Sequence, residues 1–442
     1  MKYFFILLFY SLFLLLYQTT QAQPGWNVLN SNTTINLKSV YFPTYDTGYV
    51  VGNSALILKT TTAGLDWMVL SHPYSFSFND VFFFNPDEGL AVGESGFIIR
   101  TIDGGTNWSL ISSGVSDELL SVTFIDSFGI CGARSQTILY STNAGITWNI
   151  SQSGYIGGGF WGAVMLSPQI GFLGGENSIF QPLVGKTTDS GQNWDFSAFY
   201  LNSNEGRITG IDFTDQFIGY ASCRVWDGRG AISKTTDNGN NWSTIFFSSV
   251  LNSIDFPISN ASLIGYAVGD AGTVLKTYNT GISWFTQTSG TNKRLNKVFF
   301  MDLDFGYIVG DEGTILKTTT GGEPVTNIGE NESGTGEQFT FKLYQNTPNP
   351  FSAGGRSAYG GNPSTTIRFT ILDFPAGNGT GRFTTLKVYD VLGNEVATLV
   401  NEEKPVGNYE VEFDATGLPS GIYYYQLRTN SFIETRKMIL TK

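Results

Sequence analysis

The chain has 442 residues, of which 53 are glycine, with 15% aromatic and only 14% charged residues. A formal net charge of -12 excludes a basic surface for nucleic-acid phosphates. One histidine and two cysteines leave few groups for metal or nucleophile chemistry, and the composition fits short strands joined by tight turns.

Residues 1–22 read as a secretory signal peptide. Lys2 supplies the basic start, Phe4 to Tyr17 an apolar core broken by Ser11, and Thr20-Gln21-Ala22 a cleavage point before Gln23. That run is too short for a comfortable membrane span. Nothing later approaches it, so no integral membrane segment is expected in the mature chain. Cys131 and Cys223 fall in non-adjacent repeats. Pairing in an oxidising compartment stays open, and two separate buried thiols are preferred.

From Trp26 onward the chain repeats itself. An octet of the form [ST]-x-[DNT]-x-G-x-x-W ends at Trp67, Trp108, Trp148, Trp194, Trp242 and Trp284. Its acid position holds Asp103, Asn143, Asp189, Asp237 and Asn279 in five copies. The tryptophan spacings from Trp26 are 41, 41, 40, 46, 48 and 42, a period that signals a solenoid or a propeller. Each period reads as four strands: an alternating apolar run, a Gly-aromatic strand such as GYVVG (48–52), a third strand, then the octet and a fourth strand. Four short strands per period make one propeller blade.

The octet falls between the third and fourth strands. Its Asp or Asn bonds backbone N–H groups of its own turn, its Gly takes a left-handed conformation, and its Trp buries between sheets. The swap of acid for Asn143, Asn279 or Thr62 suits a turn cap better than a catalyst. Basic residues at octet starts (Lys59, Arg100, Lys186, Lys234, Lys276, Lys317) read as solvated strand ends. The last copy, TTTGG (318–322), runs into Glu323-Pro324 with no Trp. Gly25-Trp26-Asn27-Val28-Leu29 supplies the missing Trp and strand, so the N-terminal strand is expected to close the last of seven blades.

The octets resemble the Asp-box repeat of sialidases and other propellers. The fuller unit, GYIVGDEGTILKTTTGG (306–322), is similar to the Ycf48-like family of photosystem assembly factors. That resemblance spans roughly residues 25–322, within a seven-bladed propeller expected over residues 23–322. It does not carry over a photosystem role, because the chain is marked for export. Blades four and five depart from the pattern at FLGG (172–175) and YASC (220–223).

Residues 323–338, rich in Gly, Glu, Ser and Thr, read as a linker. Residues 339–442 then alternate as strands. Ile367, Phe369 and Ile371 share one face, as do Tyr423, Tyr425 and Leu427, which predicts a small immunoglobulin-like antiparallel sandwich. The pieces NTPNPF (346–351), VYDVLG (388–393), GIYY (421–424) and RKM (436–438) resemble the C-terminal sorting domain of the type IX secretion system. The insert AGGRSAYGGNP (353–363) lengthens its first loop. The resemblance implies the type IX machinery as a partner, and a protein released or held at the cell surface.

No phosphate loop, zinc cluster or HExxH motif occurs, and neither cofactor, metal nor catalytic residue is assigned. His72 sits in a loop without a Ser/Asp partner set. A secreted glycoside hydrolase remains the alternative, with Arg100, Arg134, Arg207, Arg224, Arg229 and Arg294 for an anionic sugar and Asp212, Asp215 and Asp227 as carboxylates. The favoured reading is a non-enzymatic interaction protein whose partner is a protein or a surface polysaccharide. Its candidate binding face lies opposite the octets, on the longer loops of blades four and five. Phe160, Trp161, Tyr200, Arg207, Arg224, Trp226 and Arg229 form it, residue types typical of interface anchors.

Overall fold

The computed structural model describes residues 25–323 and 342–441, apart from 136, 152–157, 202–204, 258–263, 353–362, 372–381, 392–393, 405–406 and 430–431. The signal-peptide reading, nearly all of the linker and the 353–363 insert therefore lie outside the described residues. The chain divides into two units, residues 1–328 and 329–442.

The first unit holds seven four-stranded antiparallel sheets. Blades one to six cover residues 37–69, 78–111, 119–150, 159–198, 206–247 and 251–287. Blade seven takes three strands from residues 295–319, and its fourth is the N-terminal strand Asn27–Leu29. Asn27 faces Lys317 and Leu29 faces Ile315 in antiparallel register. The closing tryptophan, Trp26, is buried edge-on against Tyr266 and Phe300 and donates its indole N–H to Gln287 Oε1 at 2.9 Å. The expected closure is what the structure shows.

Four of the second strands, Gly48–Gly52, Gly89–Gly93, Gly171–Glu176 and Gly265–Gly269, are buried at every residue. They read as unbroken small-apolar runs because a neighbouring blade covers each face. In every blade but the fourth, a glycine early in this strand lies flat on an aromatic ring at the end of the first strand. A Cβ on Gly89 would stand 2.4 Å from Phe83, and one on Gly265 2.4 Å from Phe256. Packed aromatic side chains therefore demand the glycine.

Each octet satisfies itself. In blade four the Thr187 hydroxyl accepts the N–H groups of Asp189 (3.3 Å) and Gly191 (2.9 Å) and donates to Asp189 Oδ1. Asp189 Oδ1 in turn accepts the N–H of Asn193 at 2.9 Å. Asn143 and Asn279 accept the N–H groups of Thr147 and Ser283 in the same way, each at 3.0 Å. A carbonyl oxygen does this work as well as a carboxylate, which explains the swap. Trp194 and Trp242 donate to Gly191 O and Gly239 O at 3.0 Å. The buried indoles of Trp67, Trp108, Trp148 and Trp284 find no acceptor among the described residues.

Four of the lysines at octet starts are not solvated ends. Lys59 Nζ donates to Gly104 O, Lys276 Nζ to Gly321 O and Lys317 Nζ to Ala63 O, each at 2.8 Å, and Lys234 Nζ to Thr280 O at 2.6 Å. Each acceptor belongs to the octet loop of the next blade. Tyr49, Tyr220, Tyr266 and Tyr307 send their hydroxyls to the same four carbonyls. Carbonyls at loop tips attract cationic donors strongly, so the octet latches blade to blade as well as turning its own hairpin. Repetition alone did not reveal this, because donor and acceptor sit about one period apart.

The second unit holds a three-stranded and a five-stranded sheet. The expected faces meet in its core: Ile367, Phe369, Ile371, Tyr423, Tyr425 and Leu427 are all buried there. One pairing departs from the antiparallel pattern, since Phe351–Ser352 runs parallel to Phe432–Thr441.

Candidate functional site

The first strand of every blade carries a β-bulge against the second. The register slips between Leu37/Ser39, Phe78/Asp80, Leu119/Ser121, Phe160/Gly162, Ile208/Gly210, Leu251/Ser253 and Leu295/Lys297. A bulge re-aims the extra side chain out of the ladder. The seven extra residues are Lys38, Asn79, Leu120, Trp161, Thr209, Asn252 and Asn296, and all line one cavity of ≈ 280 Å³. Four of them clasp the next blade. Asn79 donates to Leu119 O (2.8 Å), Thr209 to Leu251 O (2.8 Å), Asn252 to Leu295 O (2.9 Å) and Asn296 to Leu37 O (2.7 Å).

Cations crowd this ring. Arg134, Arg207, Arg294 and Lys297 line the cavity with Lys38, against the carboxylates of Asp80 and Glu118. Arg134 pairs with Glu118, and both Arg294 and Arg224 with Asp270. Arg207 differs. Its guanidinium lies 4.2 Å from the Trp161 ring and 5.6 Å from Trp226, and its buried Nε has no acceptor. Among the described residues no carboxylate bonds it. Burial pushes its pKa down to about 10, and Arg224, Arg134 and Arg294 press the same way against Glu176. Glu176 is itself buried, with Oε2 unpartnered, and burial raises its pKa while Arg207 and Arg134 pull it back.

The predicted face divides under this geometry. Trp161 and Arg207 reach the cavity. Trp226 stands beside Arg207, 44% exposed, in contact with Phe180. Tyr200 is 69% exposed. Arg229 is held by Asp227 and rests over Phe246, and Arg224 keeps a buried, unpartnered Nε. Phe160 is a correction. It is wholly buried, packed against Ile130, Leu173 and Phe196, because the bulge turns Trp161 to the channel and its neighbour to the inter-blade core. Sequence reasoning missed Lys38, Asn79, Asn252 and Asn296. Only their recurrence as a polar second residue of four first strands hinted at them.

Deeper in the channel, Asp212 and Asp255 line a second cavity with Tyr41, Phe82 and Phe299. Asp212 accepts the N–H of Phe256 at 2.7 Å, and Asp255 that of Phe300 at 2.9 Å. Asp80 likewise accepts the N–H of Val122 at 2.9 Å. Each acid ties its own blade to the next. Burial pushes the Asp212 carboxyl up to about 7, and Asp255 is raised by burial and then by Asp212. Of the other glycosidase candidates, Asp215 caps its own turn and Asp227 pairs with Arg229. His72 meets Ala55 O through Nε2 and accepts the N–H of Tyr74. Among the described residues no three His, Cys, Asp or Glu gather to hold a metal ion. Cys131 and Cys223 are buried and unbridged.

Fold and site define an all-β protein of two parts, a seven-bladed propeller with a polar, cation-rich channel and a small β-sandwich tail. Residues 18–119 and 65–155 match the family model for the photosynthesis system II assembly factor YCF48, and residues 362–441 match that for the secretion system C-terminal sorting domain. The chain thus joins a Ycf48-type repeat to a type IX sorting tail, which directs export to the cell surface or beyond it. No curated protein matches. Among solved structures, YCF48 bound to D1 peptide shares 20% identity over 69% of this chain and 100% of its own, with a TM-score of 0.55. YCF48 from Cyanidioschyzon merolae shares 21% over 66% and 98%, at 0.52. The WD40 propeller domain of Doa1 shares 13% over 67% and 97%, at 0.54. At these identities the likeness is one of fold. No helix among the described residues is long and apolar enough to cross a membrane.

Proposed function

We propose that the propeller is a non-enzymatic binding module, delivered to the cell exterior by its type IX tail, which holds a protein or surface polysaccharide at the channel mouth. One observation carries this reading: Arg207 is fixed between Trp161 and Trp226 with its buried Nε unpartnered and no direct ion pair among the described residues, only the attraction of Glu176. Desolvating a cation without a partner is costly, and a bound anion supplies the missing partner. That a similar propeller, YCF48, is bound to a D1 peptide makes a peptide partner one option.

A second reading rests on Asp212 and Asp255. Two carboxyls held at raised pKa suit acid–base cleavage of a glycosidic bond. Each, however, already clamps a backbone N–H of the next blade, which is a structural task. The deciding experiment presents glycan, polysaccharide and peptide arrays to the secreted protein and assays released sugar on every hit. Binding without product, lost in Trp161→Ala/Trp226→Ala, supports the binding module. Turnover of any hit sinks it.

A further inference from the structure

The channel-mouth reading leaves the ligand's chemistry open, and the lining groups narrow it. Taking that reading as its base, we propose that the bulge ring is a subsite for an acidic saccharide, one carboxylated sugar ring of a polyuronate-type polysaccharide.

Three observations converge. First, charge: in a chain of net charge -12, the cavity gathers Lys38, Arg134, Arg207, Arg294 and Lys297 against two carboxylates. Arg134, Arg294 and Lys297 have acidic neighbours. Lys38 and Arg207, in blades one and five, make no direct ion pair among the described residues, although the buried Glu176 attracts Arg207. Such a local field draws anions, and an Arg fork matches a carboxylate. Second, hydrogen bonding: the inter-blade clasps engage the Nδ2 groups of Asn79 and Asn296. Their Oδ1 atoms accept from no protein group among the described residues, so each is open to a hydroxyl donor. Third, size and wall: ≈ 280 Å³ is at the small end of ligand pockets, which start at about 300 Å³, and the wall is mainly Asn, Ser, Thr, Arg and Lys. A ligand carrying a carboxylate and several hydroxyls on one compact ring meets all three demands. An acidic peptide meets the first but brings its carboxylates on flexible stems with few hydroxyls.

The test is calorimetric titration of the full secreted protein with oligogalacturonate, oligomannuronate, the carboxyl-reduced neutral form of each, and hexaglutamate. The expected result is binding of a uronate oligomer, at least about tenfold weaker for its neutral form and for hexaglutamate. Arg207→Met and Lys38→Met each lower uronate affinity about tenfold or more without lowering the melting temperature. Arg207→Lys, which keeps the charge and loses the fork, binds at an intermediate level. Equal binding of the neutral oligomer, stronger binding of hexaglutamate, or no uronate binding overturns the proposal. Hexaglutamate binding that vanishes in Arg207→Met refutes the sugar while keeping the channel mouth. Binding of any probe that ignores both Arg207→Met and Trp161→Ala/Trp226→Ala refutes the mouth itself.

Discussion

The octet face and the channel mouth are built from the same seven blades and handle polar groups in opposite ways. On the octet face the capping hydroxyls and carboxylates answer neighbouring N–H groups, and four Lys and four Tyr reaching across find a carbonyl of the next loop, while four octet indoles stay without an acceptor among the described residues. At the mouth, Arg207 Nε and Glu176 Oε2 are buried without a hydrogen-bond partner among the described residues. The difference separates architecture from availability: a group satisfied within its own repeat holds the disc together, and a group left unsatisfied by its repeat is free for something else.

That contrast can be broken at several strengths. Trp26→Ala removes the wholly buried closing side chain and its contacts with Tyr266 and Phe300. It should cost about 3–5 kcal/mol, read as a lower urea midpoint. Next, Thr187→Val orphans two N–H groups of one octet and should cost about 1–3 kcal/mol in the same assay. Asp189→Asn, which keeps the oxygen that Asn143 uses, should cost only a fraction of that. If the two substitutions prove equal, the turn-cap account of the octet fails.

The throat carboxyls give a pH signature. Burial raises Asp212 to about 7 and Asp255 above its ordinary value, whereas unfolded carboxyls titrate near about 4. The folded state therefore favours the protonated forms. That contribution is complete below pH of about 4 and is lost as pH rises toward 7. Wild-type stability should fall across this window, and Asp212→Asn should flatten the fall when melting is followed from pH 4 to 8. The smallest effect belongs to the mouth. Arg207→Met should leave stability within about 0.5 kcal/mol of wild type or raise it, because no direct ion pair among the described residues is broken. A clear loss there would make Arg207 a structural residue.

Sequence made the octet face legible because glycine, tryptophan and a turn-capping oxygen recur at fixed offsets, each dictated by local geometry. The blade count and the closing strand followed from the same period. The mouth was less legible. Lys38, Leu120, Trp161 and Thr209 share a bulge and no chemistry, so nothing in their identities announces a common place. Phe160 and Trp161 show the limit. Both looked like surface aromatics on a long loop, and one slip of register sends the first inward and the second into the channel.

The closing strand also fixes an order of events in time. Asn27–Leu29 emerges first from synthesis and must wait for Ile315–Thr319, nearly the whole propeller later, before it can pair. Contacts so distant along the chain form late. Until they do, blade seven and the ring around it keep bare sheet edges prone to mispairing. A chain halted anywhere before its seventh blade is complete is an open arc, and only the last few residues of the propeller turn it into a disc.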